Sequence, residues 1–279
     1  MLKQRVVTGL FLAVSFLTAL FVFPAFGFMA LMTLVLAYAA WEWSSLAGLS
    51  QPVQRGGYVV GVVSIGAALL AYLGVDENVL LAEPYRFFLL VACTWWALGL
   101  LWVQSYPSSA ILWGRRWLTL LMGLFVLLPM GLALGGLMSL PEGPNLVLAV
   151  VLLVALADIG GYFVGRAIGR TKLAPKVSPG KTWEGLLGGQ LAIITVVLVS
   201  GWFLDVEVSR LGLWLTLAMA TGLASVLGDL LESMVKRQRG VKDSGTILPG
   251  HGGILDRIDG LTAALPVFGL ILSLLYSRL

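Results

Sequence analysis

An all-α, polytopic integral membrane protein with about nine transmembrane helices is the fold class this sequence predicts. Three observations predict it. The first is composition: 59% of the 279 residues are hydrophobic and 11% are charged, against about 25% charged in an ordinary soluble domain, and the mean hydropathy is +0.95. The second is length: apolar runs of about eighteen residues or more recur along the chain, each able to cross a bilayer as a helix. The third is the placement of Lys and Arg, which alternates from one connection to the next as the positive-inside rule requires.

The spans are expected at 7–24, 28–47, 58–74, 87–105, 117–138, 145–165, 184–204, 211–231 and 261–277. The first follows Lys3 and Arg5, as the apolar core of a signal peptide would. Its apolar run exceeds the usual length of about 7–15 residues and eight more spans follow, so it reads as a retained helix. The second ends on WEWSSL and the fifth follows YPSSAILWGRRW, whose aromatics read as interfacial anchors. The fourth contains Cys93, the single cysteine; one thiol excludes an intrachain disulfide and a cysteine metal site, and it reads as a buried, inert group. Gly131 and Gly135 in the fifth span, and Gly161, Gly165 and Gly169 at the end of the sixth, recur every fourth residue, a spacing that lets helices approach closely.

With the N-terminus inside, fifteen of the 18 basic residues fall on the inner side: Lys3, Arg5, Arg55, Arg115, Arg116, Arg166, Arg170, Lys172, Lys176, Lys181, Lys236, Arg237, Arg239, Lys242 and Arg257. Arg86, Arg210 and Arg278 fall outside, together with Asp76, Glu77, Glu83, Glu142, Asp205 and Glu207. The inner segments are expected to face the cytoplasm. The chain reads as a single membrane domain over 1–279, with mainly hydrophobic helices in 1–140 and the polar chemistry in 145–279. No internal repeat or nucleic-acid motif is visible.

That chemistry lies in two inner segments, Gly165–Gly185 and Lys242–Gly260, and in the helix ends beside them. Asp158 and Asp229 stand late in their spans, where an unpaired carboxylate is costly; each needs a cation, a polar cavity, or simply a route to water at the helix end. Asp256 and Asp259 are spaced i, i+3, so they share a face if the last helix opens there. A folded-back loop would then bring Asp229, Asp256 and Asp259 together. Three hard oxygen donors suit Mg²⁺ with phosphates, although DRID also reads as acids complementing a helix dipole. Gly250, Gly252 and Gly253 allow backbone N–H groups to turn towards a ligand, and the start of the last helix adds an anion site. Lys236, Arg237, Arg239, Lys242 and Arg257 add positive charge, which positive-inside signalling also explains in part. In SPGKTWEG, Ser178, Lys181 and Thr182 offer donors to phosphate oxygens. A nucleotide P-loop is excluded, because Pro175 stands where its first glycine must be and no strand precedes it. His251, the only histidine, reads as a positioning group ahead of a general base, since a phosphate monoester with a second pKa of about 6 is already dianionic at neutral pH.

The segment Ser233–Asp259, SMVKRQRGVKDSGTILPGHGGILDRID, resembles the signature of the phosphatidate cytidylyltransferase (CDP-diacylglycerol synthase) family. The matching positions are Ser233, Lys236, Arg237, Lys242, Asp243, Gly245, Leu248, Pro249, His251, Gly252, Gly253, Asp256, Arg257 and Asp259. DIGGYFVGRAIGRTKLAPKVSPGKTWEG, from Asp158 to Gly185, is similar to the family's other polar segment. The resemblance implies transfer of a cytidylyl group from CTP to phosphatidate, releasing pyrophosphate, with Mg²⁺, assistance from K⁺ and a homodimer. It implies a place in the cytoplasmic membrane and, with the chemistry of the residues themselves, catalytic roles for Lys181, Asp229, Asp256, Arg257 and Asp259, with Mg²⁺ on Asp229 and Asp259 and Asp256 close by; which two of the three aspartates share a metal stays open. Substrate contacts are implied for Asp158, Arg166, Ser178, Thr182, Lys236, Arg237, Lys242, Asp243, His251, Gly252 and Gly253. A transporter and a CTP-dependent lipid kinase are the competing classes. The first is disfavoured by acids at the membrane edge rather than the midplane; the second is separable by its product.

Overall fold

The computed structural model describes residues 2–74, 79 and 82–275, with side chains from residue 6 onward. Asp76, Glu77, Arg278, the side chains of Lys3 and Arg5, and the last two residues of the expected final span lie outside the described residues.

Each of the nine expected spans falls on a long helix. In chain order these are α1 (Leu2–Val22), α2 (Ala25–Leu46), α3 (Pro52–Leu73), α4 (Glu83–Gln104), the short α5 (Ala110–Trp113), α6 (Arg116–Met138), α7 (Gly143–Ile168), α8 (Trp183–Phe203), α9 (Val208–Arg239) and α10 (Leu255–Leu275). Eight of them, α2 to α4 and α6 to α10, are long and apolar enough to cross a membrane; the apolar part of α1 runs from Val6 to Val22. Between α7 and α8 lies a small antiparallel hairpin, β1 (Lys172–Ala174) and β2 (Ser178–Thr182), pairing Lys172 with Thr182 and Ala174 with Ser178. Its Lys, Pro and Gly content hides the strand pattern from a sequence reading.

Two helix ends differ from expectation in a way that shapes the site. The eighth span continues past residue 231 to Arg239, where Gly240 adopts φ +74° and ends it. The Gly240 N–H donates to the Arg237 carbonyl at 3.0 Å and the Val241 N–H to the Lys236 carbonyl at 3.0 Å, a left-handed cap that only glycine adopts without strain. The last helix starts at Leu255 rather than 261, so Asp256 and Asp259 do share its opening turns.

The most buried helices are α6 and α10, while α3 turns most of its surface outward. Outward-facing Val, Leu and Phe on α1, α3 and α8 suit a lipid surrounding. The every-fourth glycines serve close packing: a Cβ at Gly161 would sit 3.4 Å from the Gly185 carbonyl, and one at Gly165 would sit 3.2 Å from Thr182 Oγ1. The aromatic anchors are corrected in part. Trp43 and Trp113 are core residues, at 0% and 1% exposure. Their indole N–H groups donate to the Thr119 carbonyl at 2.8 Å and to Ser109 Oγ at 3.3 Å; Trp117 is exposed.

Candidate active site

The last turns of α9 carry Asp229, Glu232, Ser233 and Lys236 at spacings of three and four, so they share a face. Ser233 Oγ donates to Asp229 Oδ1 at 3.1 Å. Asp229 Oδ2 meets Lys181 Nζ, delivered by β2, at 2.6 Å. Asp158 on α7 stands within electrostatic reach of Lys181, Asp229 and Arg257. At the crossing of α9 and α10 the backbones nearly touch, since a Cβ on Gly228 would run into the Asp259 carbonyl. There the Glu232 and Asp259 carboxyl groups lie side by side within hydrogen-bond reach. Asp259 Oδ1 accepts the Gly260 N–H at 2.7 Å.

Asp256 has a different setting. Lys236 Nζ donates to its Oδ1 at 2.6 Å. Its Oδ2 receives the Ser244 N–H at 2.9 Å, Ser244 Oγ at 2.9 Å and the Gly253 N–H at 2.8 Å. Both oxygens thus carry hydrogen bonds, as do both oxygens of Asp229, and the Asp256 carboxylate fastens the loop to the start of α10. Among the described residues, no group of three or more His, Cys, Asp or Glu side chains is disposed to hold a metal ion. Two carboxylates with substrate phosphates are a common arrangement for Mg²⁺. The donor set around Asp259 fits that chemistry, because Glu232 Oε1 is buried with no hydrogen-bond partner.

Other expected phosphate ligands are engaged elsewhere. Lys236 is buried between Asp256 and Glu232, the latter at 3.1 Å. Arg237 donates through Nε to the Val177 carbonyl at 3.2 Å and through Nη1 to the Val241 carbonyl at 3.4 Å, tying the hairpin turn to the end of α9. The Gly253 N–H points to Asp256 rather than to an open cleft. Thr182 caps α8, its Oγ1 accepting the Gly185 N–H at 3.1 Å. Glu184 braces the same corner by accepting the N–H groups of Arg170 and Thr171, both at 3.1 Å.

The remaining residues line two clefts. One, of about 380 Å³, gathers Asp158, Arg166, Ser178, Lys181 and Thr182 between α7, the hairpin and α8. The other, of about 560 Å³, gathers Lys242, Asp243, His251, Gly252 and Arg257 along the α9–α10 loop. His251 Nδ1 is buried without a hydrogen-bond partner.

Two polar residues at the site were missed in the sequence. Glu232 stands one turn before Lys236 on α9 and pairs with it at 3.1 Å. Glu42 lies in α2, in the half expected to be plain hydrophobic helix, yet it is 2% exposed. It accepts the N–H groups of Leu255 at 2.7 Å and Ile254 at 3.2 Å, and Ser244 Oγ at 3.2 Å. The N-terminal end of α10, expected to be an anion site for phosphate, is therefore occupied by this carboxylate. The available signal was a lone acid inside an apolar helix.

A bundle of apolar helices with cations and carboxylates gathered where α7, β2, α9 and α10 meet defines a polytopic membrane protein with a polar site. The chain belongs to the Cytidylyltransferase family, whose pattern it matches over residues 3–275. It is 43% identical over 272 residues to a Pseudomonas aeruginosa protein named phosphatidate cytidylyltransferase, covering 98% of this chain and 97% of that one. A protein of the same name from Haemophilus influenzae is 41% identical over 286 residues, covering 96% and 97%.

Proposed function

We propose that this protein transfers the cytidylyl group of CTP to phosphatidate, giving CDP-diacylglycerol and pyrophosphate, at the cytoplasmic face of the inner membrane. The names of the near full-length relatives support the reaction. One observation in the molecule carries it: Asp158, Lys181, Asp229, Arg257 and Asp259, on α7, β2, α9 and α10, fall into one neighbourhood. The orientation rests on the inner excess of Lys and Arg.

Both substrates are polyanions, so their approach works against repulsion. Lys181 and Arg257, one on each cleft, are positioned to take phosphate oxygens and stabilise the charge that moves to the leaving group. Asp229 and Asp259 would hold Mg²⁺, with Glu232 beside them. When bound, the ion offsets phosphate charge and polarises the α-phosphorus. A phosphate oxygen of phosphatidate attacks that phosphorus in line; the new P–O bond forms as the bond to the bridging oxygen breaks, and its electron pair leaves with pyrophosphate. His251 positions substrate, and Asp256 holds the loop against the start of α10, which carries Arg257.

The test uses purified protein in detergent with phosphatidate, Mg²⁺ and CTP labelled on the α-phosphate. Label should enter the lipid phase with an equal amount of pyrophosphate, and EDTA should stop both. Labelled CDP accumulating in the aqueous phase would instead mark a lipid kinase, and untouched CTP would overturn the reading.

A further inference from the structure

We infer that Glu42 is a positioning residue for the proposed cytidylyl transfer: from the N-terminal half of the chain, it holds the Gly240–Ile254 loop and the start of α10 in the shape that presents Arg257 and Asp259. The inference rests on that reading for its kinetic meaning, and on geometry for the tie itself.

A helix N-terminus leaves N–H groups without intrahelical partners, and in a buried setting each such group is expensive to leave unpaired. At α10 the usual remedy, a short polar side chain just before the helix, is missing, because Ile254 and Gly253 stand there. Glu42 supplies the remedy from more than two hundred positions away, taking the Ile254 and Leu255 N–H groups on its two oxygens. The loop has been cleared to admit it. A Cβ on Gly245 or on Gly253 would collide with the Glu42 carboxyl group.

Ser244 connects this tie to the one made by Asp256. Its hydroxyl lies 3.2 Å from Glu42 Oε2 and 2.9 Å from Asp256 Oδ2, so the beginning and end of the loop close on one side chain. Arg257 follows directly, its N–H donating to the Ile254 carbonyl at 2.9 Å. A shift of Ile254 therefore moves Arg257, and Asp259 with it.

The anchor is itself fixed on both sides. Arg55 of α3 donates through Nη2 to the Trp41 carbonyl at 2.8 Å and through Nε to Ser44 Oγ at 3.3 Å. Trp43, fully buried, bonds to α6. Residues 41, 43 and 44 are thus each held by a neighbouring helix, and Glu42 between them is aimed before any substrate arrives. Pre-set geometry of this kind governs rate, since a misplacement of about 1 Å at a distance from the chemistry costs about 100-fold.

The experiment compares wild type, Glu42→Ala and Glu42→Gln in detergent by CTP-dependent kinetics and by amide hydrogen exchange. Glu42→Ala should lower kcat/KM about 100-fold. Glu42→Gln, which keeps one acceptor oxygen, should recover part of that loss. Exchange should quicken in 244–257 while α6 keeps its protection. Glu42→Ala within about threefold of wild type would overturn the inference. So would a loss in which Gln is no better than Ala and exchange quickens equally in α2, α6 and the loop, for that describes a general fault in folding. If wild type itself makes no CDP-diacylglycerol, the reaction assignment falls, while local or unchanged exchange in 244–257 still decides whether Glu42 holds the loop.

Discussion

The cleft beside the hairpin and the cleft beside the α9–α10 loop are lined by similar residues, with at least one cation, an aspartate, a hydroxyl and glycine in each. They are held by different means. The first is shaped by neighbours in sequence: strand pairing between Lys172 and Thr182, the Thr182 cap and the Glu184 brace all join residues within fourteen positions. The second is shaped by buried carboxylates, Asp256 from twelve positions beyond Ser244 and Glu42 from 202 before it. The first is tied to the bundle at two points, Lys181 to Asp229 and Arg237 to Val177, and its local bonds can change while those ties remain. A cleft built on Glu42 moves only when α2 and α10 move, and its failure should reach stability as well as rate.

The comparison can be broken or sharpened by four substitutions. Asp259→Asn, at the crossing of α9 and α10, should lower activity about 1,000-fold with the protein still folded; a near-normal rate would remove Asp259 from the chemistry. Asp256→Asn should act on stability. It removes the charge that the buried Lys236 meets at 2.6 Å while Glu232 remains beside that lysine, so the cost should be about 1.5–3 kcal/mol, that of a hydrogen bond to a charged group; an unchanged unfolding midpoint in detergent would show that the loop is not fastened there. Lys181→Ala should separate the two effects. Its pair with Asp229 is about a quarter exposed, so stability should change by less than about 1 kcal/mol while kcat/KM falls about 10- to 100-fold; unchanged kinetics would make the hairpin a purely structural element. Thr182→Ala should be mildest, costing about 1 kcal/mol for a lost helix cap and less rate than Lys181→Ala, and a larger rate loss than Lys181→Ala would mean that its hydroxyl meets substrate.

The same contrast explains what could be read from the sequence. Apolar length and charge placement located every long helix, because these are properties of single segments. The acids at 229, 256 and 259 stood out because a charge in an apolar chain is conspicuous. What holds Asp256 was hidden, since Ser244, Gly253 and Lys236 reach it only once α9 extends to Arg239 and α10 begins at Leu255. Glu42 was hidden more deeply, among tryptophans that suggested a membrane interface, with all its partners in the last forty residues.

The length of α9 has a consequence of its own. Its 32 residues span about 48 Å at about 1.5 Å per residue, whereas the hydrocarbon core measures about 30 Å. With Val208 at one boundary and the helix upright, about 18 Å emerges at the other, or about twelve residues. Counted back from Arg239, the emergent part begins at Gly228, one residue before Asp229. The helix is then a gauge as much as a strut. On the proposed reaction it would set Asp229 at the depth where acyl chains end and glycerol begins, so that a lipid phosphate is met where it already rests, with no chain drawn out of the bilayer.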